Sequence, residues 1–343
     1  MRIAAFGVVE HPQGRRYVLI VLIAAGLASI AAALLVGSVA APLPEVIDAL
    51  RGRSSDAVAA IVLDLRLPRA LSAFAVGALL ALAGSLLQAL LRNPLADPYV
   101  LGISGGAAVA ALIALATGAA LWVMQLASAG GALFTLLLLV ALARRSLFSR
   151  DLLAGDDAAS GVLLTGVMIA ALTAALLSLL LALAPDGRLR SMVFWLLGDL
   201  AGATDMSTAV VVLVLLAVLL SIACAFARPL NLVLRGDVAA YTQGVDVDRV
   251  RRVLVLVAAL ATGCAVTLAG AVGFVGFVAP HLMRRLVGND QRLLLPAAAL
   301  LGGTLLVVAD TIARSAVAPL QLPVGVLTAL LGVPVFLWLL QHR

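Results

Sequence analysis

Long apolar segments alternate with short polar turns along most of the chain. The clearest apolar segment covers 70–91, where 22 consecutive residues include no charged side chain. A helix of that length is ~33 Å long, which is enough to cross the hydrocarbon core of a bilayer. The same pattern predicts ten membrane-spanning helices, at 17–41, 70–91, 102–118, 121–143, 161–184, 207–227, 253–271, 274–288, 293–313 and 323–341. The predicted fold class is therefore an all-α polytopic membrane protein.

The distribution of arginine predicts how these helices are oriented. If the N-terminus lies inside, 16 of the 23 basic residues fall at inner helix ends and seven at outer ends. Cytoplasmic loops carry an excess of basic residues, so both termini are predicted to be cytoplasmic. Arg15 and Arg16 precede 25 uncharged residues, which suit a first spanning helix better than a signal peptide. Little of the chain lies outside the bilayer, and 1–343 is predicted to form a single transmembrane domain.

Composition excludes several classes of protein. Hydrophobic residues make up 64% of the chain and charged residues 12%, which soluble domains do not show. The formal net charge is +6, and we attribute it to the flanks of membrane helices and not to a nucleic-acid surface. Cys224 and Cys264 lie within apolar segments without the spacing of metal ligands, so both are predicted to be small buried apolar residues.

Glycine, proline and polar residues interrupt the apolar pattern in two regions. Arg66 and Arg69 stand at the start of 70–91, and a turn with two prolines follows that segment. Proline does not continue a helix and small residues allow close packing, so a helix, a stiff turn and a second helix are predicted here. The residues predicted to serve packing or hinges are Gly77, Gly84, Gln88, Asn93, Pro94, Asp97, Pro98, Gly102, Gly105, Gly106, Gly273, Gly276, Pro280 and His281.

The longest polar interruption on the predicted inner side is 228–252. Within it, Asp237 is predicted to cap a short helix and Gly244 to end it. From the residues alone, an ordinary loop helix and a docking helix for a soluble partner fit equally well.

Two other polar sites have a structural and a functional interpretation. His281 follows Pro280, but no second His, Cys or carboxylate lies nearby at ligand spacing, which favours a structural histidine. Asp310 and Arg314 are four residues apart and can pair on one helical face. Alternatively, Arg314 presents its charge outward to an acidic partner, together with the two arginines that precede 70–91.

Missing motifs narrow the function further. The sequence has no G-x-x-x-x-G-K-[ST] motif, so this chain is not expected to hydrolyse ATP. It also lacks a nucleophile–base arrangement, an H-E-x-x-H motif and a cysteine cluster, so an enzyme is not expected. The middles of the predicted spans hold almost no ionisable residues, whereas ion-coupled carriers usually place carboxylates or histidines there.

Over about 60–341 the chain resembles the FecCD family, the permease subunits of type II ABC importers, which includes vitamin B12, haem and ferric-siderophore permeases. Several motifs in the family's order carry the resemblance. They are Arg66-Leu67-Pro68-Arg69, Gln88 with Asn93-Pro94-Leu95-Ala96-Asp97-Pro98, Leu101 to Ala107, Gly273 to His281, Leu322 to Val326 and Gly332 to Phe336.

The resemblance implies an assembly of several subunits. Two copies of this chain, each with ten helices, would form a homodimer with the pathway at their interface. Two cytosolic ABC ATPases would bind ATP and magnesium, and a periplasmic or lipoprotein substrate-binding protein would dock on the outer face. No cofactor, metal or nucleic acid is expected on this chain, and the expected location is the bacterial inner membrane.

The resemblance also assigns roles to particular residues. The outer arginines that dock the binding protein match Arg66, Arg69 and Arg314. The family's coupling helix, which contacts the ATPase, matches 236–247. The residues expected to couple are Arg235, Gly236, Asp237, Ala239, Ala240, Tyr241, Gln243, Gly244 and Val245. Gln243 stands where many relatives have leucine, so this part of the contact departs from the family pattern.

The predicted function is that of a permease subunit that moves a bulky metal chelate by alternating access, driven by a separate ATPase. The chelate would be a ferric siderophore, cobalamin or haem. The alternatives are an ion- or proton-coupled carrier that works alone and a purely structural membrane subunit.

Overall fold

The computed structural model describes residues 12–37, 42–53, 56–144 and 155–341, and the regular structure in these ranges is entirely helical. A π-helix covers Ala60–Arg66 and a 3₁₀ turn covers Pro98–Leu101. The α-helices are α1 (Pro12–Leu35), α2 (Leu43–Leu50), α3 (Asp56–Ala59), α4 (Leu67–Leu90), α5 (Ile103–Ala116), α6 (Leu121–Leu142), α7 (Gly155–Ala182), α8 (Asp186–Leu196), α9 (Met206–Ala225), α10 (Ala227–Val233), α11 (Asp237–Thr242), α12 (Val247–Ala269), α13 (Val275–Val287), α14 (Gln291–Ser315) and α15 (Val324–Gln341).

Each of the ten predicted apolar segments falls on a helix, and the all-helical prediction is confirmed. In the described part of the chain, seven helices are long and apolar enough to cross a membrane, and Ile103–Ala116 and Val324–Pro334 are shorter apolar helices. The count of ten spans and the orientation of the termini stay predictions. Cys224 and Cys264 are free thiols and only partly buried.

Four α-helices were not anticipated from the apolar pattern: α2, α3, α8 and α10. All four are short, and α8 begins with the polar stretch Asp186 to Arg190. Helix α2 buries only Val46 and Ala49, which pack in a small cluster with Val62 of the π-helix. Such amphipathic elements lie outside the long apolar runs, so hydropathy does not detect them.

Helix α4 is buried on every side. Twenty-one of its side chains are buried, and they run almost without a break from Pro68 to Leu90. It contacts α14, α12, α9, α13 and α1, which surround it. A spanning helix in contact with lipid would expose one face, so α4 is the centre of the bundle.

Two glycines of α4 allow neighbouring backbones to approach closely. Gly77 faces Gly302 of α14, and a methyl group on either glycine would contact the carbonyl oxygen of the other. Seven residues later, Gly84 lies against the carbonyl oxygen of Gly276 in α13. Pro280 has no N–H to donate to that oxygen four residues before it, so α13 leaves this carbonyl available where Gly84 approaches.

The turn after α4 has the stiff construction that its sequence predicts. The Asn93 side chain accepts a hydrogen bond from the Leu95 N–H at 2.9 Å, and Asp97 accepts one from the Tyr99 N–H at 2.8 Å. Pro98 occupies the first position of the 3₁₀ turn. Burial raises the pKa of Asp97, and the Tyr99 N–H opposes that shift because it stabilises the carboxylate.

The glycine contact in α4 yields a prediction. Gly84→Ala is expected to destabilise the folded chain by about 2 kcal/mol, because the new methyl group would overlap the Gly276 carbonyl. Gly130→Ala in α6 is the matched control, since nothing lies within 4 Å of its Cβ position. That control is expected to be neutral or slightly stabilising, as alanine is the better helix former. Thermal unfolding of both variants in detergent would measure the difference, and equal midpoints would contradict the packing argument.

Candidate functional site: charged clusters at the two ends of the central helix

At the first turn of α4, Arg69 forms a buried ion pair with Asp310 of α14. The Arg69 Nη2 lies 2.7 Å from Asp310 Oδ1, and Nε donates to the same carboxylate at 3.0 and 3.1 Å. The remaining Nη1 donates to the Gln321 Oε1 at 3.1 Å. Arg69 is 8% exposed and Asp310 2% exposed, so the pair is largely removed from solvent. Fork geometry of this kind fixes both partners.

Two further arginines at the same end bind the carboxyl end of α1. Arg66 Nη1 donates to the Leu34 carbonyl at 2.7 Å and to the Leu35 carbonyl at 3.3 Å, and Arg314 Nη2 donates to the Ala33 carbonyl. The last four carbonyls of a helix have no partner within the helix, and they form the negative end of its dipole. These two guanidinium groups therefore terminate α1.

The prediction that these arginines present their charge outward is wrong for the side chains as the structure places them. Arg66 and Arg314 are 5% and 7% exposed. Asp310 and Arg314 do lie on one face, but their closest approach is 3.8 Å, and Arg69 is the nearer partner of Asp310. Helix-end carbonyls and a carboxylate attract the guanidinium groups inward. Docking of a binding protein by these residues stays a prediction.

At the other end of α4, Asp237 joins three segments. Its Oδ1 lies 2.9 Å from Arg92 Nη2, just beyond α4, and its Oδ2 lies 2.5 Å from Arg251 Nη2 in α12. Arg92 also donates to the Val233 carbonyl at 3.1 Å, and its backbone has a left-handed φ of 46°. A single carboxylate on α11 therefore connects this short helix to α4 and to α12.

The predicted short helix at 236–247 is present as α11, but Asp237 does not cap it. Gly236 is the capping residue, with φ 129°, and Asp237 occupies the first helical turn, where its carboxylate binds the two arginines instead. Gly244 ends the helix as predicted, with φ 80°. The N–H of Gly244 donates to the Tyr241 carbonyl and that of Val245 to the Ala240 carbonyl, which is a Schellman arrangement.

One face of α11 exposes apolar side chains. Val238 is 56% exposed and Tyr241 59% exposed, whereas Ala240 is fully buried beneath them. Ala239 and Gln243 are also exposed, and the Gln243 Nε2 donates to the Ala239 carbonyl at 3.2 Å. Arg235, directly before the helix, is exposed as well. Exposed apolar residues on a short, fixed helix can serve as a contact surface for another protein.

Gln88 connects α4 to the predicted Pro280–His281 site. Its Nε2 lies 3.4 Å from the Phe277 carbonyl, and its Oε1 accepts a hydrogen bond from Arg284 Nη2 at 3.1 Å. Pro280 and His281 are both buried within α13. Among the described residues, no group of three or more His, Cys, Asp or Glu could hold a metal ion.

The remaining predicted packing glycines fall into two groups. Gly102 has a left-handed φ of 73° and is the N-cap of α5, while Gly105 and Gly106 lie against the side chains of Thr173 in α7 and Thr135 in α6. Gly273 differs, since nothing lies within 4 Å of the position that a Cβ atom would take there. Pro94 lies in the exposed turn after α4.

Three residues with structural contacts near this site were not predicted from the sequence. Arg92 and Arg251 hold Asp237, and the Tyr99 hydroxyl donates to the Val272 carbonyl at 2.9 Å. Arg92 directly precedes the Asn93-Pro94 motif, and Arg251 lies just after the predicted coupling segment 236–247. Their opposite charge to Asp237 was the available signal, but only the fold brings the three together.

Known proteins resemble this chain in sequence over most of its length. The FecCD transport family matches residues 21–342. A cobalamin import system permease protein of Halobacterium salinarum is 40% identical over 284 residues, which are 82% of this chain and 74% of that protein. A vitamin B12 import system permease protein of Escherichia coli O139:H28 is 39% identical over 283 residues, which are 81% of this chain and 83% of that protein.

Solved structures agree in fold. An inward-facing conformation of a transporter assigned to the metal-chelate type of ABC transporters superposes with a TM-score of 0.81 and 28% identity, covering 96% of this chain and all of that one. PsaBC from Streptococcus pneumoniae, in complex with Fab, superposes with a TM-score of 0.52 and 16% identity over 86% of this chain and 94% of that one, which indicates a shared fold alone. The family match covers nearly the whole sequence, and this chain is a member of the FecCD transport family of integral membrane permeases.

Proposed function

We propose that this chain is the membrane-spanning permease of an ABC importer that carries cobalamin across the bacterial inner membrane. The ABC importer permease assignment rests on the family and on its relatives. The observation that carries the cargo is the 40% identity, over 82% of the chain, to a cobalamin import system permease protein. Ferric siderophores and haem, which the sequence resemblance leaves open, are the competing cargoes.

In this proposal two copies pair around a central pathway and work by alternating access. A substrate-binding protein delivers the chelate at the outer end, and two cytosolic ATPases bind ATP and magnesium below. The permease itself forms 1–343 as one domain, with 228–252 as its cytoplasmic coupling segment. No step requires a catalytic residue or cofactor on this chain.

The coupling role of α11 is supported by its contacts in both directions. Val238 and Tyr241 are exposed toward a partner, while Asp237 binds Arg92 and Arg251 behind them. A displacement of α11 by the ATPase would therefore pull on the end of α4 and on the start of α12. Since α4 touches most of the bundle, movement at this one point would reach most of the spanning helices.

The docking role of the outer arginines is supported by the charge balance around Asp310. Arg69 and Arg314 share this single carboxylate, and the Nε of Arg314 makes no hydrogen bond within the described residues. Two guanidinium groups around one carboxylate leave a net positive charge at this end of the bundle, which would attract an acidic binding protein at a distance. Reversing the charge of Arg69 would break the internal pair as well, so docking is better tested at the exposed Gln321 beside it.

Uptake into proteoliposomes tests the function as a whole. The vesicles would contain this permease with the ATPase and binding protein encoded beside it, and they would be offered labelled cobalamin, a ferric siderophore and haem. We expect ATP-dependent accumulation of cobalamin alone, lost when the ATPase carries a Walker-A Lys→Ala substitution. Accumulation of another chelate would contradict the cargo, and accumulation without ATP would contradict the class.

The Asp237 bridge yields a second prediction. Asp237→Asn is expected to lower ATP-driven uptake ~tenfold while ATP hydrolysis by the assembled complex continues, because the amide cannot hold both arginines. The size of the effect follows from coupling free energies between sites, which are about 1–3 kcal/mol. Asp246→Asn is the matched control: it removes an acid from the same segment, but asparagine caps α12 as well as aspartate does. Equal uptake by the two variants would refute the role of the bridge.

A third prediction concerns docking at the outer end. Gln321→Glu would place a carboxylate against Arg69 Nη1 and neutralise part of the positive charge, so we expect about threefold weaker binding of the substrate-binding protein at low salt. Gln321→Met removes the hydrogen bond without adding charge and should bind normally. Equilibrium titration against permease in nanodiscs would measure both, and unchanged affinity for Gln321→Glu would exclude docking at these arginines.

A further inference from the structure

An apolar groove of about 580 Å³ runs between α6, α9 and α12. Its walls include Leu126, Leu133, Leu215 and Leu260, all of which are well exposed in the single chain. Trp122, at one end, is 65% exposed. All three helices are long and apolar enough to cross a membrane, so in the single chain this groove would face the hydrocarbon of the bilayer.

The groove leads into a smaller and more polar pocket of about 340 Å³. Gln125 and Leu268 line both cavities, so the two share a wall. The pocket adds Arg190 and Ser191 of α8 and Asp199 from the loop after it. It lies at the end of the bundle where α6 and α9 begin and α12 ends, which the arginine distribution predicts to be the outer end.

Polarity changes along the groove in one direction. The hydroxyl-bearing residues Thr208 and Thr267 line it near the pocket, and the Oγ1 of Thr267 is buried without a hydrogen-bond partner in the described chain. From Trp122 to Leu136 the lining of α6 spans 15 residues, or ~21 Å of helix. That length exceeds half of a hydrocarbon core of ~30 Å. One extended acyl chain of a single leaflet therefore fits along it.

The polar pocket is lined by one cationic and one anionic side chain, Arg190 and Asp199. The Arg190 guanidinium lies over the Phe194 ring, 5.4 Å from its centroid, and Asp199 is fixed by the Ala201 N–H, which donates to its Oδ1 at 2.7 Å. No ion pair joins Arg190 to Asp199 among the residues that the structure describes, so both charges remain available to a ligand. A ligand that matches the pocket carries an anionic and a cationic group next to each other.

We propose that this composite site binds one phospholipid with a zwitterionic head group and a primary ammonium, as in phosphatidylethanolamine. The phosphate binds Arg190, the ammonium donates to Asp199, and an acyl chain fills the groove between α6, α9 and α12. An anionic head group without the ammonium would meet Asp199 with like charge. A quaternary ammonium has no N–H to donate to that carboxylate.

Native mass spectrometry of the purified permease tests the site. The protein, depleted of lipid, would be mixed with equimolar phosphatidylethanolamine, phosphatidylglycerol and phosphatidylcholine of identical acyl chains. We expect the first adduct to be phosphatidylethanolamine. Arg190→Gln should weaken that adduct about tenfold, as expected for loss of a charge-assisted hydrogen bond. Asp199→Asn, which can still accept from the Ala201 N–H, should abolish the preference over phosphatidylglycerol.

Two further variants control the interpretation. Arg188→Gln removes an exposed arginine two residues away that lines neither cavity, and its adducts should match those of the wild type. Ala129→Phe fills the groove without altering the pocket and should reduce every adduct.

The proposal is overturned if all three lipids bind equally, which would indicate ordinary annular lipid. It is also overturned if Arg190→Gln behaves as Arg188→Gln does, or if the dimer retains no lipid because a second copy covers the groove. None of these outcomes depends on which chelate is transported.

Discussion

The bundle depends on α4, which is buried by neighbouring helices on every side and presents no face to lipid. In water, burial of α4 would be explained by the hydrophobic effect, but in a bilayer apolar side chains gain little by leaving the lipid tails. Close packing has to supply the attraction instead, and it does so at Gly77 and Gly84, where backbones of α14 and α13 touch that of α4. The proline of α13 contributes to the same contact, since it leaves the Gly276 carbonyl without a donor in its own helix.

Because these contacts join backbones, α4, α13 and α14 are expected to move together. The charged clusters are attached to the two ends of this unit: Arg69 at the first turn of α4 and Arg92 just past its last. In the proposed function, a helix held along its length and bound electrostatically at both ends would connect the two faces of the membrane mechanically. Discrete rearrangement of packed elements is the way that such connections change state.

Sequence reasoning was most accurate where one physical property decides the structure. Hydropathy located the long helices, because a spanning helix must bury its backbone groups and face lipid with apolar side chains. Turn chemistry anticipated the stiff segment at Asn93 to Pro98 and the end of α11 at Gly244. The helices α2, α3, α8 and α10 were not predicted, since they are too short to give an apolar run.

The charged residues were harder to interpret, because burial of a charge depends on partners that are remote in sequence. Asp310 is 241 residues from Arg69, and the α1 carbonyls that bind Arg66 are 31 and 32 residues from it. Local rules predicted that the Asp237 side chain caps its own helix. In the structure this carboxylate instead forms ion pairs with Arg92 and Arg251.

The fork of Arg69 also constrains how this family member can evolve. Its Nε and Nη2 hold the Asp310 carboxylate while Nη1 holds Gln321, so three nitrogens are committed at once. Lysine offers a single nitrogen, and an exchange usually scored as conservative would leave a buried carboxylate undersatisfied. Loss of Arg69 would leave Asp310 with Arg314 alone, at 3.8 Å, and loss of Asp310 would leave two buried guanidinium groups without their carboxylate. Arg69 and Asp310 are therefore expected to be exchanged together or not at all, although 241 positions separate them in the sequence.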